Sequence, residues 1–335
     1  MKAIQIKGKN GLGDLQLVDI ADPGQPGPGE IRVRLHAASL NFHDYAVCMG
    51  WMGGGPDRIP MADAGGVVEA VGEGVTEHQV GDHVVSVFTP DWLAGLPDKV
   101  SFGRVPGDGV DGYACEAAVK PAAFFTRAPA GWSHAEAACI PTAGVTAWRA
   151  LAVDGHLKAG DTVLTLGTGG VSIWALQLAK AFGARVISTS SSDEKLAKLR
   201  EMGASDTINY KAEPEWGKKV IELTGGRGAD HVIEAAGGGT LAQSVAAVAL
   251  GGQVSMIGVI SGQEGTIPVS LLMFKKASIK GITVGSRADQ LSFIRAMETS
   301  GIRPVIDSSF PLEGIADAFA HEGTGRHFGK IVLEW

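Results

Sequence analysis

The chain has 335 residues, enough for two domains with separate cores, and its 48 glycines are too many for a helical bundle but suit many tight turns between strands. A formal charge of −7, with no block of Lys or Arg, argues against nucleic acid and anionic membranes as partners. The three separated cysteines, Cys48, Cys115 and Cys139, form no CxxC pattern and no disulfide framework, the opening MKAIQIKGKN has no apolar signal core, and no run approaches the ~18 apolar residues of a membrane span, so a cytoplasmic protein is expected.

Residues 1–120 read as β-rich, with alternating runs at 3–6, 30–36, 66–71, 83–88 and 114–119 and turn clusters such as DPGQPGPGE at 22–30 and VGEG at 71–74. This is the pattern of a compact barrel-like β domain. Residues 90–112 read as a long irregular excursion, the kind of loop that usually carries function. Helices are predicted at 135–140 and 144–152. Strand–helix units then repeat: strands at 162–166, 185–188, 206–209, 231–234 and 252–257, with helices at 171–182, 192–202, 214–223 and 241–249. Such alternation predicts a doubly wound parallel sheet covered on both faces, and an α/β fold class for the chain. Beyond Ser270 the regularity weakens to a strand at 278–284, a helix at 289–299 and a final strand at 330–334 that is expected to return to the first domain.

Within the first of these units, the strand 162–166 meets Gly167-Thr168-Gly169-Gly170-Val171, and apolar residues then recur at helical spacing from Val171 to Phe182. A helix that opens at a glycine turn aims free N–H groups at whatever sits there, a ready site for a pyrophosphate. Ser172 stands where the third Gly or Ala of GxGxxG is usual, so the match is incomplete, and strand, turn, helix and strand in sequence are what point to a dinucleotide. After the second strand the chain reads Thr189-Ser190-Ser191-Ser192, with no carboxylate before Asp193 and with Lys195 close by. Small hydroxyls and a cation suit a 2′-phosphate, and favour NADP(H) over NAD(H); the plainer reading is that Asp193 and Lys195 open a solvated helix.

Separated segments agree with one family. Pro28-Gly29-Glu30, Asn41-Phe42-His43-Asp44, the stretch GVVEAVGEGV from Gly66 with VGDHV from Val80, Ala143-Gly144-Val145-Thr146-Ala147-Trp148, the glycine turn, Gly203-Ala204 and Gly329-Lys330-Ile331-Val332-Leu333 together resemble the medium-chain dehydrogenase/reductase superfamily, in its zinc-independent, quinone oxidoreductase-like branch. The resemblance implies a GroES-like β-barrel-type domain over 1–125, a Rossmann domain over 126–275 and a return to the catalytic domain over 276–335, with nicotinamide in the cleft between them and homodimers or homotetramers as the assembly. Zinc-dependent members take ligands at three positions held here by Asn41, Ala62 and Thr142, none of which suits Zn²⁺, and the structural zinc lobe is missing, so no metal is expected.

Asn41, His43 and Tyr45 are the catalytic candidates. By the resemblance His43 falls where zinc relatives place a proton-relay hydroxyl; its other reading is a packed, hydrogen-bonded histidine. Thr142 and Thr146 lie on the segment that approaches nicotinamide in relatives. Gly167, Thr168, Gly169, Gly170 and Val171 would hold the pyrophosphate, and Ser190, Ser191, Lys195 and Tyr210 the 2′-phosphate. Gly258 and Val259 correspond to the carboxamide end, with Ser286, Arg287 and Arg326 as looser cofactor candidates. Cys48, Trp51, Met52, Trp92 and Phe102 either wall an apolar substrate pocket or cover core.

Without a Lewis acid, reducing an activated C=C bond or a quinone is easier than oxidising an alcohol, because the substrate's own carbonyl takes up electron density. The expected activity is NAD(P)H-dependent reduction of a quinone or α,β-unsaturated carbonyl. The alternatives are a zinc-free alcohol dehydrogenase with His43 or Tyr45 as base, and a dinucleotide-binding protein without relevant turnover.

Overall fold

The computed structural model describes residues 1–8 and 11–335, and the chain forms two compact units, Met1–Val145 with Val284–Trp335, and Thr146–Thr283. No helix among the described residues is long and apolar enough to cross a membrane.

The first unit opens with an antiparallel ribbon of β1 (Lys2–Ile6) and β2 (Leu15–Asp19). There follow β3 (Glu30–Ser39), α1 (Phe42–Cys48), β4 (Asp63–Val71), β5 (His83–Ser86), β6 (Ala117–Pro121), β7 (Phe125–Arg127) and α2 (His134–Ala138). In β3 the period of two is plain: Ile31, Val33 and Leu35 are buried, while Arg32 and Arg34 turn outward and share Glu69 of β4 at 2.8 and 2.6 Å. The inward residues join Ile4, Tyr113, Phe125 and Phe319 in one core, each large apolar side chain contributing about 1.5–3 kcal/mol by its burial. The unit runs on past residue 125 to Val145 because α2 packs across β3, β4 and β5. A π-helical turn, Ile140–Gly144, leads into α3 (Val145–Trp148) and a second such turn, Arg149–Val153. Such turns recur at functional sites.

The second unit is a run of βα units: β8 (Thr162–Leu166), α4 (Gly170–Ala181), β9 (Arg185–Ser190), α5 (Asp193–Glu201), β10 (Asp206–Asn209), α6 (Trp216–Leu223), β11 (Ala229–Glu234), α7 (Leu241–Ala247), β12 (Val248–Met256), α8 (Val269–Lys275) and β13 (Ser278–Gly281). The strands lie parallel in the order β10-β9-β8-β11-β12-β13, so the winding reverses between β8 and β11. A crevice for a nucleotide falls at such a reversal, outside the carboxyl ends of the strands. Every residue of β8 is buried, as a central strand with both faces covered requires.

The chain then returns to the first unit through α9 (Arg287–Ser300), β14 (Ile306–Pro311), α10 (Ile315–Gly323) and β15 (Lys330–Glu334). The sheet there has the order β14-β15-β3-β4-β5-β7, with β6 also on β3. The sequence pattern marks no regular element at 42–48, and the structure makes it a helix. Seven residues are too few to show a period, and the fold is set by Asp44 accepting the Asn41 backbone N–H at 3.1 Å. Helix α8 also escapes the pattern, because VSLLMFK is apolar with no polar face.

Candidate active site

The glycine turn lies in the second unit. Gly167 has φ +76, a backbone that suits glycine, and Gly169 takes the N-cap of α4 with no side-chain cap. The first-turn N–H groups therefore point outward without an intrahelical or capping partner, which fits a diphosphate. Ser172 is explained by its hydroxyl, which donates to Leu166 O at 2.7 Å and ties the first turn of α4 to the end of β8. At the neighbouring strand end, Tyr210 N donates to Ser190 O at 3.2 Å, so Tyr210, 41% exposed, stands beside Ser190 and Ser191. Ser192 caps α5, accepting from Lys195 N at 3.4 Å. Asp193 is turned to Asn209 Nδ2 at 2.8 Å, so the nearest carboxylate in sequence is engaged one strand away. Gly258 follows β12 so closely against β11 that a Cβ there would meet Ala235 O at 1.8 Å, and half-exposed Val259 comes next.

The other cofactor candidates are placed differently. Thr146 is buried within α3. Ser286, Arg287 and Arg326 belong to the first unit. Ser286 caps α9, and its hydroxyl donates to Asp289 at 2.8 Å. The Arg287 guanidinium is engaged by Glu77 at 2.6 Å and Phe125 O at 3.2 Å, while that of Arg326 reaches Thr324 at 3.4 Å.

A polar cluster occupies the first unit where three strand ends meet. Ser39, the last residue of β3, pairs with Asp63 at the start of β4 on one side and with Val332 of β15 on the other. That register puts Asn41, Asp63 and Lys330 together although their numbers are far apart. Asn41 Nδ2 donates to Asp63 at 3.0 Å, to Asp44 at 3.1 Å and to Ser39 O at 3.2 Å. Its Oδ1 accepts from Lys330 Nζ at 2.6 Å, and the same ammonium donates to Leu40 O. Thr142, in the π-helical turn, donates to Asp63 through its hydroxyl at 2.7 Å and its N–H at 3.1 Å. Ala62 donates its N–H to Asp44 at 2.8 Å, and its carbonyl accepts from Ser86 Oγ at 2.9 Å. Asn41, Asp44, Asp63 and Lys330 are all buried. Burial pushes the Asp63 carboxyl up to about 6, against the pull of Lys330. Glu322 lies near the same ammonium with a buried Oε2 that has no hydrogen-bond partner among the described residues, and burial pushes it up to about 7.

This donor set does not fit a catalytic zinc. Zn²⁺ needs imidazole, thiolate or carboxylate ligands with an open position. Here an amide, a methyl and a hydroxyl hold the three positions, Asp63 accepts from both Asn41 and Thr142, and a fixed ammonium already neutralises the cluster. Among the described residues no group of three or more His, Cys, Asp or Glu is placed to hold a metal ion.

His43 follows Asn41 by two residues, with a side chain 14% exposed. Its Nε2 is 3.5 Å from Asp108 Oδ2 and its Nδ1 3.8 Å from Asp44 Oδ1. Burial disfavours the charged ring, yet Asp108 and Asp44 overcome it and raise the imidazole to about 9. Tyr45 is half-buried between Trp51 at 5.5 Å and Phe319 at 6.1 Å. Of the pocket candidates, Trp51, Met52 and Phe102 are exposed. Cys48 and Trp92 are buried: Cys48 is 0% exposed in the apolar cluster, its thiol held up by burial, and Trp92, 3% exposed, donates Nε1 to Gly95 O at 3.0 Å. Asp108 and Lys330 are absent from the sequence-derived site, since only the folded register brings them to Asn41 and His43.

Comparison with known proteins agrees with this architecture. Residues 27–130 match the alcohol dehydrogenase GroES-like domain, and residues 170–299 match the zinc-binding dehydrogenase domain. A zinc-type alcohol dehydrogenase-like protein of Schizosaccharomyces pombe is 39% identical, over 97% of this chain and 96% of its own. A crystal structure of an NAD-dependent alcohol dehydrogenase is 36% identical with a TM-score of 0.91, covering 100% of both chains. A mycobacterial structure complexed with NADPH is 27% identical with a TM-score of 0.83, again over 100% of both. Two domain matches in this order and a relative of that identity over nearly the full length make the chain a member of the medium-chain dehydrogenase/reductase family.

Proposed function

We propose that the protein is an NADPH-preferring oxidoreductase that reduces a quinone or an α,β-unsaturated carbonyl without a metal, with His43 as proton donor. The observation that carries this reading is the closed network of Asn41, Asp63, Thr142 and Lys330, a set of groups that does not suit a Lewis-acidic zinc of the kind that would lower an alcohol's pKa. NADPH, when bound, supplies the hydride. The chain's own residues do the rest. The first turn of α4 holds the diphosphate, and Ser190, Ser191, Lys195 and Tyr210 favour a 2′-phosphate because no carboxylate closes the end of β9. His43, kept cationic by two carboxylates, gives its proton to the substrate oxygen or carbon that gains negative charge.

Oxidising an alcohol is the second reading, and the names of relatives favour it. With His43 as the base it needs a neutral imidazole, which Asp44 and Asp108 oppose. The test pairs NADPH oxidation with enones and quinones against NAD(P)⁺ reduction with alcohols, alongside metal analysis of the purified protein. Turnover of enones or quinones with substoichiometric zinc is expected. Alcohol oxidation alone, with stoichiometric zinc, would refute the proposal.

A further inference from the structure

The excursion at 90–112 carries no regular element, yet its tip is tightly folded. Gly107 N donates to Val110 O at 2.8 Å, Asp108 N to Val105 O at 3.2 Å, and Gly109 N to Val105 O at 2.8 Å. Gly112 N then fastens the tip to Ile59 O at 2.8 Å. The tip presents Asp108, whose Oδ2 lies 3.5 Å from His43 Nε2. Phe88 stands edge-on to the imidazole with centroids 5.0 Å apart, and limits its rotation on one side. The other carboxylate, Asp44, cannot follow the ring, because its oxygens are engaged by Ala62 N at 2.8 Å and by Asn41 at 3.1 Å. His43 Nδ1 is buried and has no hydrogen-bond partner among the described residues. The charged groups that face the ring are therefore Asp44 from α1 and Asp108 from the excursion; Arg58 acts on Asp108 in turn.

We propose that Asp108 is the positioning residue of His43: its carboxylate fixes which way the imidazole faces and keeps the ring cationic, and segment 105–110 is folded to deliver it. The catalytic consequence rests on His43 being the proton donor, while the pairing itself does not. A second feature of the structure supplies an independent handle. Gly53 gives Asp108 its place, for a Cβ at residue 53 would stand 1.7 Å from Asp108 Oδ1. Gly53→Ala would turn the flexible carboxylate away while keeping its charge, whereas Asp108→Asn keeps the shape and removes the charge.

The experiment is a histidine NMR titration of the full-length protein as wild type, Asp108→Asn and Gly53→Ala, with His43→Gln to assign the signal. Both variants should weaken proton affinity at His43 about tenfold or more, and the alkaline fall in kcat should move to lower pH by the same factor. An unchanged His43 titration in both variants would overturn the proposal. If His43→Gln retained the wild-type alkaline limb, the donor reading would fall instead, and the titration alone would then decide the pairing.

Discussion

Replacing Lys330 with Met tests the buried cluster most directly. The ammonium is 5% exposed and donates to Asn41 Oδ1 at 2.6 Å and to Leu40 O. Methionine keeps most of the volume but leaves two buried acceptors without a donor, and removes the cation facing Asp63 and Glu322. Breaking a buried charge pair from one side costs about 3–5 kcal/mol, and each orphaned acceptor about 1–3 kcal/mol; the terms overlap, so the expected loss at pH 7.5 is about 3–5 kcal/mol. The pH dependence sharpens the test. Burial already holds the Asp63 carboxyl up at about 6, above its unfolded value, so its ionisation costs stability as pH rises through that range and protonation restores it as pH falls. Without Lys330 the folded value rises further, and each added unit enlarges the neutral-pH deficit by about 1.4 kcal/mol. Urea unfolding of both proteins at pH 7.5 and 5.0 should show a gap that narrows at the lower pH. A gap that is absent, or equal at both pH values, would refute the claim that Lys330 stabilises buried negative charge.

Two further outcomes are expected. Combining Lys195→Ala with Tyr210→Phe should raise the KM for NADPH by roughly 10–100-fold, the loss of one charged hydrogen bond, while the KM for NADH changes little; equal effects would remove the 2′-phosphate assignment. Val269, Met273 and Phe274 of α8 are 71%, 64% and 74% exposed beside β13, the open edge of its sheet, so a second copy of the chain is the proposed cover. Light scattering should give a dimer that dissociates on Met273→Lys with Phe274→Lys, and a monomeric wild type would exclude it.

The parallel sheet was legible because its central strand β8 is short, apolar and followed by a helix, and the strand–helix alternation repeats after it, each unit a signal contained within some 30 residues. The glycine turn was legible for the same reason. The cluster in the first unit was not, because its chemistry depends on pairing between distant strands. Asn41 is a catalytic candidate by sequence; only the register Asp63↔Ser39↔Val332 shows its amide hydrogen-bonded to Asp63, Asp44, Ser39 and Lys330. Lys330 lies within a motif quoted for its resemblance, yet nothing in its neighbours says that its ammonium is buried. Asp108 sits in an aperiodic loop, where no pattern marks one carboxylate from another. Cys48 and Trp92 illustrate the converse limit, since a large soft side chain near a glycine run reads equally as pocket wall or as core.

The position of β15 between β14 and β3 has a consequence for how the molecule is made. Residues 146–283 are continuous, and can close their core while the rest of the chain is still being synthesised. The barrel-like unit cannot: one of its inner strands, and the ammonium that pacifies its acidic interior, emerge from the ribosome nearly three hundred residues after Asn41 and Asp63. Until then its nascent sheet carries an exposed edge and uncompensated charge, which makes this half the natural client for a chaperone and the half in which truncation does most harm.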